Sequence, residues 1–74
     1  MLKKSAYFDK SIDILELDKE VLNILKNNKI VTIEDLWLMN RKKLKELGLK
    51  DNDIKQIIIK LQLIGLDLNK RVYN

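Results

Sequence analysis

Residues 44–65 read LKELGLKDNDIKQIIIKLQLIG and decide the fold of this chain. Leucines three residues apart precede Gly48, which predicts a short helix that stops at the glycine. Beyond it, apolar residues recur at intervals of three and four up to Gly65, which predicts a longer helix capped by Asp51 or Asp53. Two helices joined at a glycine corner make a helical hairpin. The buried face of the longer helix is predicted to consist of Ile54, Ile57, Ile58, Leu61 and Ile64.

Three polar residues mark helix starts before this hairpin. Asp18, Thr32 and Asn40 each precede a segment with helical spacing, and Thr32 forms a capping-box pattern with Asp35. Together with the hairpin they predict four helices, near 19–28, 33–39, 41–47 and 52–64. Because the chain has no proline and no strand-like alternation, we expect a compact all-α domain of four or five helices without a sheet.

The two ends of the chain lack this periodicity. Residues 1–11 show no sustained pattern and are interpreted as a flexible linker or tether. The helical domain is predicted to span residues 12–69, with Leu66 and Leu68 folding back as a hydrophobic hook, and residues 70–74 to form a frayed tail. Trp37 lies in an apolar stretch, so we expect it to pack in the core rather than stack on a base.

The composition argues against catalysis. The chain has 74 residues but no cysteine and no histidine, so it lacks a thiol nucleophile, the usual general base and the commonest metal ligands. Asp51-Asn52-Asp53 does not continue as a calcium loop, because Gln56 stands at the glycine position and Gln62 at that of the closing glutamate. We therefore predict a binding domain rather than an enzyme, with no catalytic residues, metal or cofactor.

The positive charge is concentrated in the middle of the chain. The net charge is +4, and residues 19–50 carry eight Lys or Arg against four Asp or Glu. The densest run, residues 41–45, is most often the sign of a solvated helix face, although the overall balance favours an anionic partner. No apolar run approaches the ~20 residues of a membrane span, and no signal peptide is recognisable. We expect a cytoplasmic chain without membrane contact.

The corner at Gly48 is the motif that points to a ligand. Backbone amides of a glycine turn and of the next helix N-terminus converge outward, which suits a phosphate. Lys50, Asn52 and Lys55 stand around this corner and add charge and hydrogen-bond donors. The alternative is a plain structural corner, since many helical domains use Leu-Gly-Leu in this way.

Five sequence segments form an ordered set along the chain. They are IDILEL (12–17), NILK (23–26), IVTIEDL (30–36), LKELGL (44–49), and IKQIIIKL (54–61) followed by GLDL (65–68). Their order and spacing resemble the C-terminal domain of the bacterial RNA polymerase alpha subunit. The likeness covers residues 12–69, and residues 1–11 resemble the linker that tethers this domain.

The resemblance implies a domain with a helix-hairpin-helix core that binds A·T-rich promoter DNA in the minor groove. It also implies contacts with transcription factors and other polymerase subunits. Glu20 stands where the family has an arginine and Asp53 where it has a serine, so we expect weak or atypical DNA contact. The residues assigned to the DNA face are Lys19, Asn23, Lys26, Gly48, Lys50, Asn52, Lys55 and Gln56.

The last predicted helix carries apolar residues beyond its core stripe. Ile59 and Leu63 lie four residues apart on the opposite side, and Leu66 is near the same line. Such a line indicates a protein-contact or self-association surface. Alternatively, residues 7–12 fold over these side chains and cover them.

A second class of domain fits several of the same features. A sterile-alpha-motif-like domain, which pairs through helix faces without nucleic acid, matches residues 35–36, residues 44–49 and the long last helix. A small stand-alone enzyme is a distant third, given the missing histidine and cysteine. The first two alternatives differ in whether DNA is bound at all.

Overall fold

Helices and one small hairpin follow one another along residues 7–72, the part of the chain that the structure describes. In this computed structural model every α-helix begins and ends within two residues of its predicted bounds, so the mostly helical fold is confirmed. The elements are a 3-10 helix (Ile12–Leu15), α1 (Lys19–Asn27), α2 (Ile33–Trp37), α3 (Arg41–Glu46), α4 (Asp51–Gln62), β1 (Leu66–Asp67) and β2 (Arg71–Val72).

Two helix starts use the predicted caps. At α2, the Thr32 hydroxyl accepts from the Asp35 amide and the Asp35 carboxylate accepts from the Thr32 amide, each over 3.1 Å. At α3, the Asn40 side chain accepts from the Lys43 amide over 2.9 Å. Each cap satisfies donors that a helix start leaves without a partner, which explains why these short helices begin where they do.

The other two predicted caps need correction. Asp18 stands at the N-cap of α1, but its side chain makes no capping hydrogen bond. At α4 the N-cap is Lys50, whose amide donates to the Asp53 carboxylate over 3.1 Å, so neither Asp51 nor Asp53 is the N-cap residue itself. An acidic residue at the cap accepts from an amide of the first turn, whereas one three positions into the helix accepts from the cap amide, and the sequence pattern alone does not distinguish the two.

The core forms around α4. Ile54, Ile57 and Leu61 are at most 1% exposed, and α4 contacts α3, the 3-10 helix and β1. A fully buried leucine or isoleucine contributes about 1.5–3 kcal/mol relative to an exposed one. Leu66 and Leu68, the predicted hook, are buried against this core. The buried residues are Ile12, Leu15, Leu17, Val21, Leu25, Ile30, Ile33, Leu36, Leu44, Leu49, Ile54, Ile57, Leu61, Leu66 and Leu68.

The end of the described chain is a docked hairpin, which corrects two predictions. β1 and β2 pair antiparallel, with Leu66 opposite Val72, so the expectation of no sheet is wrong. Residues 70–72 are also not frayed, whereas residues 73–74 of the predicted tail lie outside the described residues. Asn69 and Lys70 turn the chain with φ near 63° and 62°, a conformation that asparagine tolerates. A hairpin of two-residue strands leaves almost no alternation to detect.

The segment predicted to be a linker is docked from residue 7 onward. The Phe8 and Trp37 rings have centroids 4.6 Å apart, and the Ile33 amide donates to the Lys10 carbonyl over 2.9 Å. Ser11 and Thr32 form an isolated antiparallel β-bridge just before α2. The linker prediction is therefore wrong for residues 7–11, and residues 1–6 lie outside the described range. Trp37 is half-buried in this contact rather than fully in the core.

Candidate functional site

The outer face of α1 carries the first group of predicted DNA contacts. Lys19, Asn23 and Lys26 are all exposed, as is Glu20 between them. The Lys26 ammonium lies 2.8 Å from the Asp13 carboxylate. This hydrogen bond, aided by the Ser11 hydroxyl, holds the pKa of Asp13 below its ordinary value. The charge of Lys26 is therefore already neutralised by a neighbour.

The corner at Gly48 carries the second group. Gly48 has a φ of 103°, which residues other than glycine rarely adopt. A Cβ atom at this position would meet no other atom within 4 Å. The backbone conformation, rather than space, requires the glycine.

The amides of this corner are already used within the chain. Those of Gly48 and Leu49 donate to the Lys45 and Leu44 carbonyls over 3.0 and 3.3 Å. The Lys50 amide is taken by the Asp53 carboxylate. The amides of Gly48, Leu49 and Lys50 are therefore not available to a phosphate, because two carbonyls and a carboxylate of the protein hold them.

One contact nevertheless joins the two groups. The Asp18 amide donates to the Gln56 side-chain oxygen over 3.5 Å, which joins the start of α1 to the second turn of α4. Asn52 and Lys55 are exposed close by in the sequence of α4. We call this combined surface, made by the outer face of α1, the Gly48 corner and the first two turns of α4, the α1–α4 face.

The charges on the α1–α4 face nearly balance. Three lysines, at positions 19, 50 and 55, are offset by Glu20 and by Asp53. Asp51 is paired with Lys45, with 2.9 Å between the charged atoms. A surface with so little surplus charge attracts a polyanion only weakly.

Two of the three residues in the predicted apolar line, Ile59 and Leu63, are exposed. Ile59 is 48% exposed and Leu63 is 75% exposed, so residues 7–12 do not cover them. Leu66 is 3% exposed, so its assignment to a protein contact is wrong. The helix ends at Gln62 and Gly65 turns the chain with a φ of 80°, which takes Leu66 off the helical line and into the core.

The acidic side chains serve local structure. Partial burial acts to raise the pKa of Asp35, but hydrogen bonds from the Thr32 and Val31 amides outweigh it and leave the pKa below its ordinary value.

Within residues 7–72, no group of three or more acidic side chains is arranged to hold a metal ion. In the same range, no helix is long and apolar enough to cross a bilayer.

Sequence reasoning missed one feature of the surface. Arg41 and Lys42 of α3 line a cavity together with Arg71 of β2. The basic run of α3 is visible in the sequence, but nothing in the sequence shows that a hairpin thirty residues later adds a further cation to it.

Comparison with known proteins adds no family to these observations. Neither a scan against models of protein families nor a search of curated protein sequences finds a match to this chain. A functional assignment therefore depends on the residues and contacts described above.

Proposed function

We propose that the chain is a non-catalytic recognition domain of the kind found at the C-terminus of bacterial RNA polymerase alpha subunits. In this proposal α3, the Gly48 corner and α4 form its helix-hairpin-helix core, and it acts in the cytoplasm. It contacts A·T-rich promoter DNA weakly and docks on transcription regulators or polymerase subunits. The order and spacing of the quoted segments support this assignment, and the mostly helical fold agrees with it.

The observation that carries the proposal is a single stripe along α4, which is exposed except at the half-buried Gln56. Asn52, Gln56, Ile59 and Leu63 follow one another at spacings of four, three and four residues, which places them on one side of the helix. Gln56 contacts the start of α1, and Ile59 and Leu63 are exposed and apolar. A stripe that changes from polar to apolar along its length suits a partner that is read by hydrogen bonds at one end and by hydrophobic contact at the other.

DNA contact is the weaker part of this function for three physical reasons. The amide of Lys50 is held by Asp53, the charge of Lys26 is paired, and Glu20 is repelled by the minor groove. We expect affinities in the non-specific range, about 10⁻⁴–10⁻⁶ M at physiological salt.

An NMR titration of the labelled chain with an A·T-rich duplex tests the DNA contact. We expect small, salt-sensitive shifts at Asn23 and Lys50. A titration that leaves both amides unmoved at low salt would remove DNA from the proposed function.

Sedimentation tests the apolar end of the stripe and the sterile-alpha-motif alternative. If the domain pairs with itself through α4, Leu63→Lys gives a monomer at concentrations where the wild type associates. Leu38→Lys is the matched control, since Leu38 is 46% exposed and lies outside α4. Association through Leu63 together with no response to DNA would favour the sterile-alpha-motif-like interpretation over the polymerase one.

A further inference from the structure

A cavity opens between α3, α4 and the β1–β2 hairpin. Its volume is about 410 Å³, within the range of about 300–1,000 Å³ typical of small-ligand sites. None of its lining residues belongs to the predicted DNA face. Those that matter for its chemistry are Arg41, Lys42, Ile58, Gln62, Asp67 and Arg71.

Backbone hydrogen bonds bring Arg71 to this cavity. The Asn69 amide donates to the Met39 carbonyl over 2.8 Å, and the Lys70 amide donates to the Trp37 carbonyl over 2.9 Å. The Trp37 indole N–H donates to the Arg71 carbonyl over 2.8 Å. Because main-chain atoms of residues 69–71 make these contacts, the Arg71 side chain remains available to a ligand.

The lining has a surplus of positive charge. Two guanidinium groups and the Lys42 ammonium face one carboxylate, that of Asp67. Within residues 7–72, no ion pair neutralises any of these three cations. One oxygen of Asp67 accepts from the Leu68 amide over 2.7 Å, so this carboxylate is partly committed to its own loop. The cavity therefore favours an anion.

We propose that this cavity binds the phosphate group of a nucleotide, with Arg41 and Arg71 as its principal contacts. Guanidinium groups hold phosphate through paired hydrogen bonds, and two of them from different segments suit a group with several acceptor oxygens. The site is independent of the proposed DNA contact on the α1–α4 face.

The remaining lining favours a nucleotide over a simple carboxylate. Ile58 is half-buried and lines the cavity, so it offers an apolar surface for a base. The second oxygen of Asp67 and the side-chain amide of Gln62 can pair with hydroxyl or amino groups, which a nucleotide carries beside its phosphate. The phosphate can belong to a free nucleotide or to a single nucleic-acid strand.

Shift mapping on the labelled 74-residue chain tests the site with three probes: inorganic phosphate, adenosine monophosphate and a short oligothymidylate. We expect at least one of them to move the amides of residues 41–42 and 69–71. Movement by the mononucleotide identifies a free ligand, and movement by the oligothymidylate alone identifies a strand. A glutamate-rich peptide serves as the carboxylate control; shifts produced by this peptide alone, or by none of the three probes, would overturn the proposal.

Variants that each remove one positive charge distinguish a specific binding site from nonspecific electrostatic attraction. Arg41→Gln and Arg71→Gln should each weaken binding of the active probe about tenfold, as expected for a charge-assisted contact. Lys43→Gln is the matched control, because Lys43 is exposed on α3 but does not line the cavity, and it should change binding less than about threefold. An equal loss in all three variants would overturn the assignment. Arg71→Gln retains the carbonyl that accepts from Trp37, so the hairpin should stay docked.

Discussion

Replacing Glu20 with arginine is expected to tighten the binding of A·T-rich DNA about tenfold. Glu20 is the exposed second residue of α1, two positions after Asp18, whose amide donates to the Gln56 side chain of α4. One pair of unit charges at about 6 Å in water is worth roughly 0.7 kcal/mol. A change of two charge units, from carboxylate to guanidinium, therefore gives roughly 1.4 kcal/mol, or about a factor of ten in Kd.

Fluorescence anisotropy with a labelled duplex at two salt concentrations measures this effect. A new phosphate contact should also steepen the dependence of log K on log salt by about 0.9. Glu34→Arg is a matched control, because Glu34 is likewise the exposed second residue of its helix, α2. Both variants change the net charge equally and lose a favourable helix-dipole interaction of about 0.3–1 kcal/mol.

Two results would refute this reasoning. Equal gains for Glu20→Arg and Glu34→Arg would mean that net charge alone attracts the DNA, without contact at α1. No detectable binding by Glu20→Arg at low salt would mean that the Gly48 corner, with its amides held by Asp53 and two carbonyls, has no remaining affinity for phosphate.

Two further predictions concern stability. Trp37→Phe removes the donor to the Arg71 carbonyl and should lower the free energy of unfolding by about 1 kcal/mol. Hydrogen exchange should accelerate more at the amides of residues 69–72 than at that of Leu61, and unchanged exchange at residues 69–72 would contradict the docking of the hairpin. The folded-state pKa of Asp35 lies below its ordinary value near 3.8. The contribution of the Asp35 carboxylate to the free energy of unfolding is therefore complete above pH 3.8 and is lost as the pH falls through the folded-state pKa. In Asp35→Asn, the free energy of unfolding should therefore fall less steeply as the pH is lowered, which urea unfolding at several pH values measures. A fall as steep as that of the wild type would argue against this cap.

Local signals predicted the helices because the groups that define them are close in sequence. Thr32 and Asn40 each satisfy an amide three residues away, and Gly48 supplies a φ that stops α3. Core positions of α4 follow from the helical period alone, and Ile54, Ile57 and Leu61 are buried as expected. Ile58 and Ile64 fall at the edge of that stripe and are only partly buried.

The ends of the chain were unpredictable for the opposite reason. Asn69 and Lys70 find their acceptors at Met39 and Trp37, some thirty residues earlier, and Phe8 finds its partner ring on Trp37. No local pattern encodes such pairings, and a strand of two residues has no detectable period. The cavity shares this limit, because it exists only once the hairpin is docked beside α3.

The candidate surfaces meet on α4, and helix geometry says how. Ile58 and Gln62 line the cavity, whereas Ile59 and Leu63 belong to the exposed stripe. Each residue is one position along from its counterpart, so the two lines are about 100° apart around the helix axis. They are neighbours without a shared side chain, and separate ligands of modest size can occupy both. Substitutions in one line should then leave binding at the other unchanged, and a departure from additivity would mean that one partner spans both.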